Sequence, residues 1–237
     1  MTREAKMSPK TIGVVTIGQT PRDDIVPEIE AALGPGYEIE QVGVLDGLSA
    51  AEIESQGGRF SRGMMVTRLR NGEEVRVKKS LVMGRFKDCV EDIDGRVAMI
   101  LVLCTGDLPL IRTQAPILYP GRILQSLTQS LGVDRLGVLT PAAEQVRAQL
   151  RRWRGLAPRV FVTHVSPYGP LAAFEAAAEK LRPKKPDMVV MDCIGYTQTM
   201  QQSVRESLDR PVLAALSSLA LVAAAMLGSA DPSHTRS

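Results

Sequence analysis

An α/β fold of two similar doubly wound lobes with mainly parallel sheets is the class this 237-residue sequence predicts. Three observations lead there. Short β-branched runs alternate with helical stretches along the whole chain, as they do when strands are joined by crossover helices. Apolar residues make up 44% and aromatics only 4%, so the core is aliphatic, which suits parallel strands covered by helices on both faces. The cadence then runs through twice, each half containing an apolar strand that ends in a cysteine.

The elements follow in order. Thr11–Ile17 reads as a buried first strand. A helix is expected from Pro21, continuing over Asp23–Leu33, until Gly34-Pro35-Gly36 stops it. Tyr37–Val44 is a second strand, and Leu48–Glu54 a short helix before a loop at Gly57-Gly58. Residues 64–78 differ in kind. Alternating patterns flank Asn71-Gly72, a strong hairpin signal, so an antiparallel insertion with one exposed polar face is predicted. Helix Ser80–Ile93 returns the chain to the sheet, and strand Val97–Leu103 ends at Cys104. Helix Arg122–Leu131, strand Arg135–Leu139, helix Ala142–Trp153, strand Arg159–Val165, helix Pro170–Leu181 and strand Met188–Met191 continue the alternation to Asp192-Cys193. A helix over Gln198–Leu208, a short strand at Val212–Leu213 and an apolar final helix complete it. The expected division is a first lobe of 10–118 plus 214–228, a second lobe of 119–213, and flexible tails at 1–9 and 229–237.

Composition narrows the function. With 29 basic against 26 acidic residues, the net charge of +3 is too small to imply nucleic acid. The cluster Arg147, Arg151, Arg152, Arg154 reads as the solvated face of a surface helix. Three cysteines without paired spacing, and two histidines far apart (His164, His234), argue for a reducing, cytoplasmic setting and against a disulfide framework or a metal site. The N-terminus lacks the apolar core of a signal peptide. The longest apolar run, Val212 to Leu227, is short of the roughly 20 residues of a membrane span, so a buried helix is expected. No membrane, nucleic-acid or cofactor partner is expected. The exposed hairpin and the apolar final helix are candidate surfaces for a homodimer.

The chemistry concentrates in two turns, Leu103-Cys104-Thr105-Gly106-Asp107 and Asp192-Cys193-Ile194-Gly195-Tyr196-Thr197. Both place a thiol at the carboxyl end of a buried strand, where open α/β sheets bind ligands. Both carry glycine two positions later, so the backbone can turn sharply. If a helix starts behind the turn, its free N–H groups bind a carboxylate or enolate oxygen and lower the thiol pKa. A lone strand-end cysteine is more often a core residue; two in matching context, one per lobe, are not read that way. Cys89, within a helix and without glycine context, reads as packing.

A third turn, Gly18-Gln19-Thr20-Pro21-Arg22, follows the first strand. With Gly13 it approximates a phosphate-binding loop, but Gln19 stands where the lysine is required and the intervening residues read as strand, so nucleotide binding is rejected. Arg22 either pairs with a ligand carboxylate or is solvated or bonded to Asp23 or Asp24. His164 is a surface or satisfied residue unless the loop Pro167-Tyr168-Gly169 closes over the cleft.

These residues resemble the AroM family, within the aspartate/glutamate and hydantoin racemase superfamily. The resemblance covers nearly the whole chain and is carried by Thr16–Arg22, Cys104-Thr105-Gly106-Asp107, Leu139-Thr140-Pro141 and Asp192-Cys193-Ile194-Gly195. It implies two α/β lobes with a small carboxylate substrate between them and one catalytic cysteine from each. Cys104 and Cys193 would be the base and acid of a cofactor-independent racemase, epimerase or isomerase. Gly18, Gln19, Thr20, Arg22, Thr105, Gly106, Thr140, Ile194, Gly195 and Tyr196 would hold the substrate. The turns are nearer the Cys-x-Gly style of hydantoin racemases than the Cys-Asn-Thr and Cys-Thr-His of amino-acid racemases. The alternatives are a covalent isomerase or decarboxylase using a single cysteine, and a non-enzymatic binding protein.

Overall fold

The computed structural model describes residues 10–56 and 64–228. The expected tails and the Gly57-Gly58 loop lie outside these residues. Two four-stranded, all-parallel sheets carry the fold. In the first, Tyr37–Gly43 (β2), Lys10–Thr16 (β1), Met99–Leu103 (β5) and Ile117–Leu118 (β6) lie side by side in that order. In the second the order is Val212–Ala214 (β10), Met188–Met191 (β9), Arg135–Thr140 (β7) and Arg159–His164 (β8). Glu74–Lys78 (β4) pairs antiparallel with Met64–Arg68 (β3) as a separate hairpin.

Strand periodicity assigns side chains to layers. Successive residues of a strand face opposite sides, so Ile12, Val14, Met99, Leu101 and Leu103 of the first sheet join Leu136, Val138, Met188 and Val190 of the second in one shared core. Helices Val26–Leu33 (α1), Pro120–Leu131 (α4) and Ala215–Leu227 (α8) fill that core, with α8 packed on both α1 and α4. The alternate residues point outward. Val15, Ile100 and Val102 pack under Lys79–Ile93 (α3), beside the short helix Ala50–Gln56 (α2). Leu139, Val189 and Met191 pack under Ala172–Leu181 (α6) and Gln198–Leu208 (α7). Val146–Trp153 (α5) sends fully buried Trp153 into the shared core.

Two departures from the sequence reading matter for the site. The first helix begins at Val26, not at Pro21. Residues 22–25 form a turn instead, and its amide and guanidinium bonds to Gln41, Thr16 and Asp24 are ones a helix would not make. Strand β6 has only two residues, too short to leave a pattern. Among the described residues no helix is long and apolar enough to cross a membrane.

Candidate active site between the lobes

Residues at or just beyond the carboxyl ends of β1, β5, β7 and β9 line a cavity of about 230 Å³ between the lobes. It lies below the roughly 300–1,000 Å³ of drug-sized sites, so it suits a small metabolite. Cys104 and Cys193 both line it. Cys104 is buried at the end of β5, and Cys193 is partly exposed beyond β9. They are close enough that charge on Cys104 raises the pKa of Cys193.

The two thiols are not activated as the turns suggested. Burial pushes Cys104 up to about 11, opposed by the Gly106 amide, which donates to Sγ at 3.3 Å, and by the Arg152 charge. Burial likewise pushes Cys193 up to about 12, opposed by the Gly195 amide and by Arg22. The physical reason is that no helix starts directly behind either turn. After Cys104 the chain runs without regular structure until β6, and α7 starts five residues beyond Cys193. One amide and one guanidinium per thiol do not offset desolvation. Both are therefore neutral thiols near pH 7.

Of the other predicted residues, Arg22, Thr105, Gly106, Ile194 and Gly195 line the cavity. Gly18, Gln19, Thr20, Thr140 and Tyr196 do not. The Gln19 amide bonds Leu45 O and Leu48 O and accepts from the Arg70 amide. Thr20 donates to Asp46 through its amide and hydroxyl. Gly18 makes room for the hairpin: a Cβ there would lie 2.4 Å from Arg68 O. This first turn fastens neighbouring segments and delivers only Arg22 to the cleft. Arg22 is held by both oxygens of Asp24 (2.8 and 2.9 Å) and by Thr16 Oγ1. The Thr140 hydroxyl donates to Gln145 Oε1, so it orients a lining residue without being one. Tyr196 is fully buried, its hydroxyl donating to Val165 O and its ring edge-on to Phe174.

Several lining residues were not anticipated. Gln145, Gln149 and Arg152 fall at helical spacing, so one stripe of the α5 region faces the cavity. Arg147, Arg151 and Arg154 are exposed as expected, but Arg152 turns inward. Its Nη1 donates to Thr105 O (2.7 Å) and meets Asp192 Oδ2 at 3.4 Å. A Cβ on Gly121 would lie 2.5 Å from Arg152 Nη2 and 2.4 Å from Thr105 O, so glycine at the start of α4 keeps that seat open. Asp192, 1% exposed, also accepts from Trp153 Nε1 at 2.9 Å. Burial raises its pKa, against the opposing Arg152 charge and hydrogen bonds from Trp153 and Thr105. The signal available in the sequence was the spacing of Gln145, Gln149 and Arg152 beside a tryptophan.

The hairpin roofs the cavity with Met64, Met65 and Thr67 instead of standing free. It is tied to the first lobe through the Gln19 amide and Arg68 O (3.1 Å). It is tied to the second by Arg76–Glu144 (2.9 Å) and Ser166 Oγ donating to Glu74 Oε2 (2.8 Å). Arg68 also lies over the ring of Tyr168, which lines the cavity beside Cys193, whereas His164 is exposed and does not reach it. No group of three or more His, Cys, Asp or Glu able to hold a metal occurs among the described residues.

A two-lobed parallel α/β fold with a cysteine from each lobe on one cavity defines the class, that of the aspartate/glutamate and hydantoin racemase fold. The chain is similar to allantoin racemase from Pseudomonas fluorescens (TM-score 0.60, 17% identity, covering 96% of this chain and 99% of that one). It is also similar to maleate isomerase from Pseudomonas putida S16, solved with maleate (TM-score 0.62, 14% identity, 92% and 93% covered). A Nocardia farcinica maleate cis-trans isomerase mutant bearing a covalently bound succinylcysteine intermediate is a third such structure (TM-score 0.57, 18% identity, 93% and 92% covered). No curated protein matches by sequence. The model of the AroM protein family matches residues 12–227, and the chain belongs to that family.

Proposed function

We propose that this protein is a cofactor-independent isomerase of racemase or epimerase type, acting at a carbon next to a carboxylate or carbonyl of a small acid or hydantoin-like compound. The observation that carries the reading is that Cys104 and Cys193 line one cavity from separate lobes. One thiol, deprotonated, removes the proton on the substrate carbon, and the other delivers a proton to the opposite face. Positioning comes first in such a step and pKa second.

The surroundings supply the rest. Arg152 favours the Cys104 thiolate and Arg22 the Cys193 thiolate, so each sulfur has its own cation. The amides of Gly106 and Gly195 donate to those same sulfurs. Met64 and Met65 cover the cavity with apolar surface, which strengthens each of these interactions by excluding water. The isomerase activities of similarly folded proteins support the class of reaction but not a substrate.

The test is solvent-deuterium incorporation, followed by NMR, into a panel of chiral 2-substituted acids and 5-substituted hydantoins. Incorporation at the carbon next to the carbonyl, lost in both Cys104→Ser and Cys193→Ser, is the expected result. Incorporation retained in both variants overturns the reading. A covalent adduct trapped on one thiol, with the other dispensable, transfers the assignment to a single-cysteine isomerase.

A further inference from the structure

Tyr168, in the loop after β8, lines the cavity beside Cys193 and is partly exposed. Its hydroxyl has no hydrogen-bond partner among the described residues, Cys193 included. Nor is that oxygen sealed off, as Thr67 Oγ1 and Asp192 Oδ1 are. Its place is nevertheless fixed. A Cβ on Gly195 would lie 3.7 Å from the Tyr168 oxygen and 3.2 Å from Pro167, so the loop closes directly onto that glycine. The Gly195 amide is the one that donates to the Cys193 sulfur. Hydroxyl, glycine and thiol therefore share one corner of the cavity.

The hairpin holds the phenol there. Arg68 lies over its ring, 5.1 Å from the centroid, and is itself tied to Asp24 at 3.3 Å. The Tyr168 amide donates to Ser166 Oγ (3.2 Å), whose hydroxyl donates to Glu74 of β4. Arg22, the cation on this side of the cavity, is already committed to Asp24 and Thr16. Burial, and then charge on Cys193, raise the pKa of the phenol, so it keeps its proton while that thiol loses its own. A neutral donor held in place needs no reorganisation when charge appears in front of it.

Taking a proton from a carbon beside a carbonyl moves the C–H electron pair onto the carbonyl oxygen. Resting on the carbon-acid reading of this cavity, we infer that the Tyr168 hydroxyl is a further catalytic group, donating a hydrogen bond to that oxygen as its charge develops. Tyrosine gives up no proton. The substrate proton goes to one thiolate, and the electron pair returns to carbon when the other thiol reprotonates it. The substrate must then carry a carbonyl or carboxylate oxygen that reaches the Cys193 corner.

Two small neutral reagents test this on the Cys193 sulfur without any substrate. Acrylamide adds through its double bond: sulfur bonds the terminal carbon, the electron pair moves to the carbonyl oxygen, and water then protonates the inner carbon. Iodoacetamide bonds the same sulfur but expels iodide and forms no enolate. Peptide mass spectrometry of the full chain under mildly alkaline conditions gives both rates at Cys193. Tyr168→Phe removes one oxygen that bonds nothing in the folded chain, so the fold is kept. In that variant acrylamide addition is expected to fall at least about tenfold, toward the roughly 10²–10³ lost with one oxyanion donor. Iodoacetamide labelling is expected to stay within about twofold. Equal losses with both reagents would mean that Tyr168 acts on the sulfur or on access to it, and overturn the inference. No loss with acrylamide, or a Cys193 that acrylamide does not label in the unaltered chain, also overturns it. The carbon-acid reading is judged separately. A selective loss where no substrate incorporates deuterium keeps the donor and removes that reading; incorporation unchanged in Tyr168→Phe keeps that reading and removes the donor.

Discussion

At the scale of single residues, the decisive fact is that both cleft thiols resist ionisation. Their ordinary value of 9.0 rises on folding to about 11 for Cys104 and about 12 for Cys193. A thiolate base at such a site becomes more populated with pH. The initial rate of deuterium incorporation is therefore expected to climb by close to tenfold per pH unit from neutrality toward pH 10. A flat profile would point to a different base. The same shifts set a stability trend. The folded chain keeps two protons that the unfolded chain releases near pH 9, so folding stability declines as pH rises from about 9 toward 11–12. Urea melts of Cys104→Ser/Cys193→Ser should show a shallower decline over that window.

Arg152 belongs to the same scale. It is the residue whose role the basic run concealed, because four arginines within eight positions look alike in sequence. Only helical phase, set by the Trp153 anchor, turns one of them inward. Removing its charge leaves the buried Asp192 carboxyl with hydrogen bonds from Trp153 and Thr105 but without the opposing cation. Arg152→Met is expected to cost about 1–3 kcal/mol in urea denaturation, with much of that recovered when Asp192→Asn is added. A purely additive double variant would show that the two side chains do not cooperate.

At the scale of elements, the hairpin is the part that turns an open rim into an enclosed site. Its existence was legible from Asn71-Gly72 and the flanking alternation, since a two-residue period is a local property of the chain. Where it docks was not legible. That depends on Arg76 meeting Glu144 and on Gly18 admitting Arg68 O, pairs separated by about fifty residues or more. Gly18→Ala is expected to lift the roof. Hydrogen–deuterium exchange mass spectrometry should show faster exchange across 64–78, with the strands of both sheets unchanged. The Gln19-Thr20 turn teaches a related lesson. Polar residues after a first strand signal function from sequence alone, yet here they serve Asp46 and the hairpin. The motif is a structural fastening that ends in one cleft residue.

At the scale of the whole molecule, the alternation of strands and helices was read correctly almost throughout, because buried parallel strands are nearly continuous apolar runs. The rim was legible too, as the strand ends that carry Cys104 and Cys193. The remaining walls of the cavity were not, since they come from helix α5, a roof from the first lobe and a loop from the second, which only the assembled fold brings together. The apolar final helix, expected to be buried, packs on α1 and α4 and places Leu216, Leu219, Ala220 and Ala223 in the shared core. Leu221 and Met226 remain exposed on it.

The account depends on both thiols opening onto a single small space, and alkylation with N-ethylmaleimide reads that directly. Under mildly alkaline conditions, intact-mass and peptide analysis is expected to find an adduct on Cys104 or on Cys193, with the second thiol of the same molecule strongly slowed once the first is occupied. Independent labelling of both at undiminished rates would mean that the two sulfurs face separate spaces, and a shared substrate between them would then be ruled out.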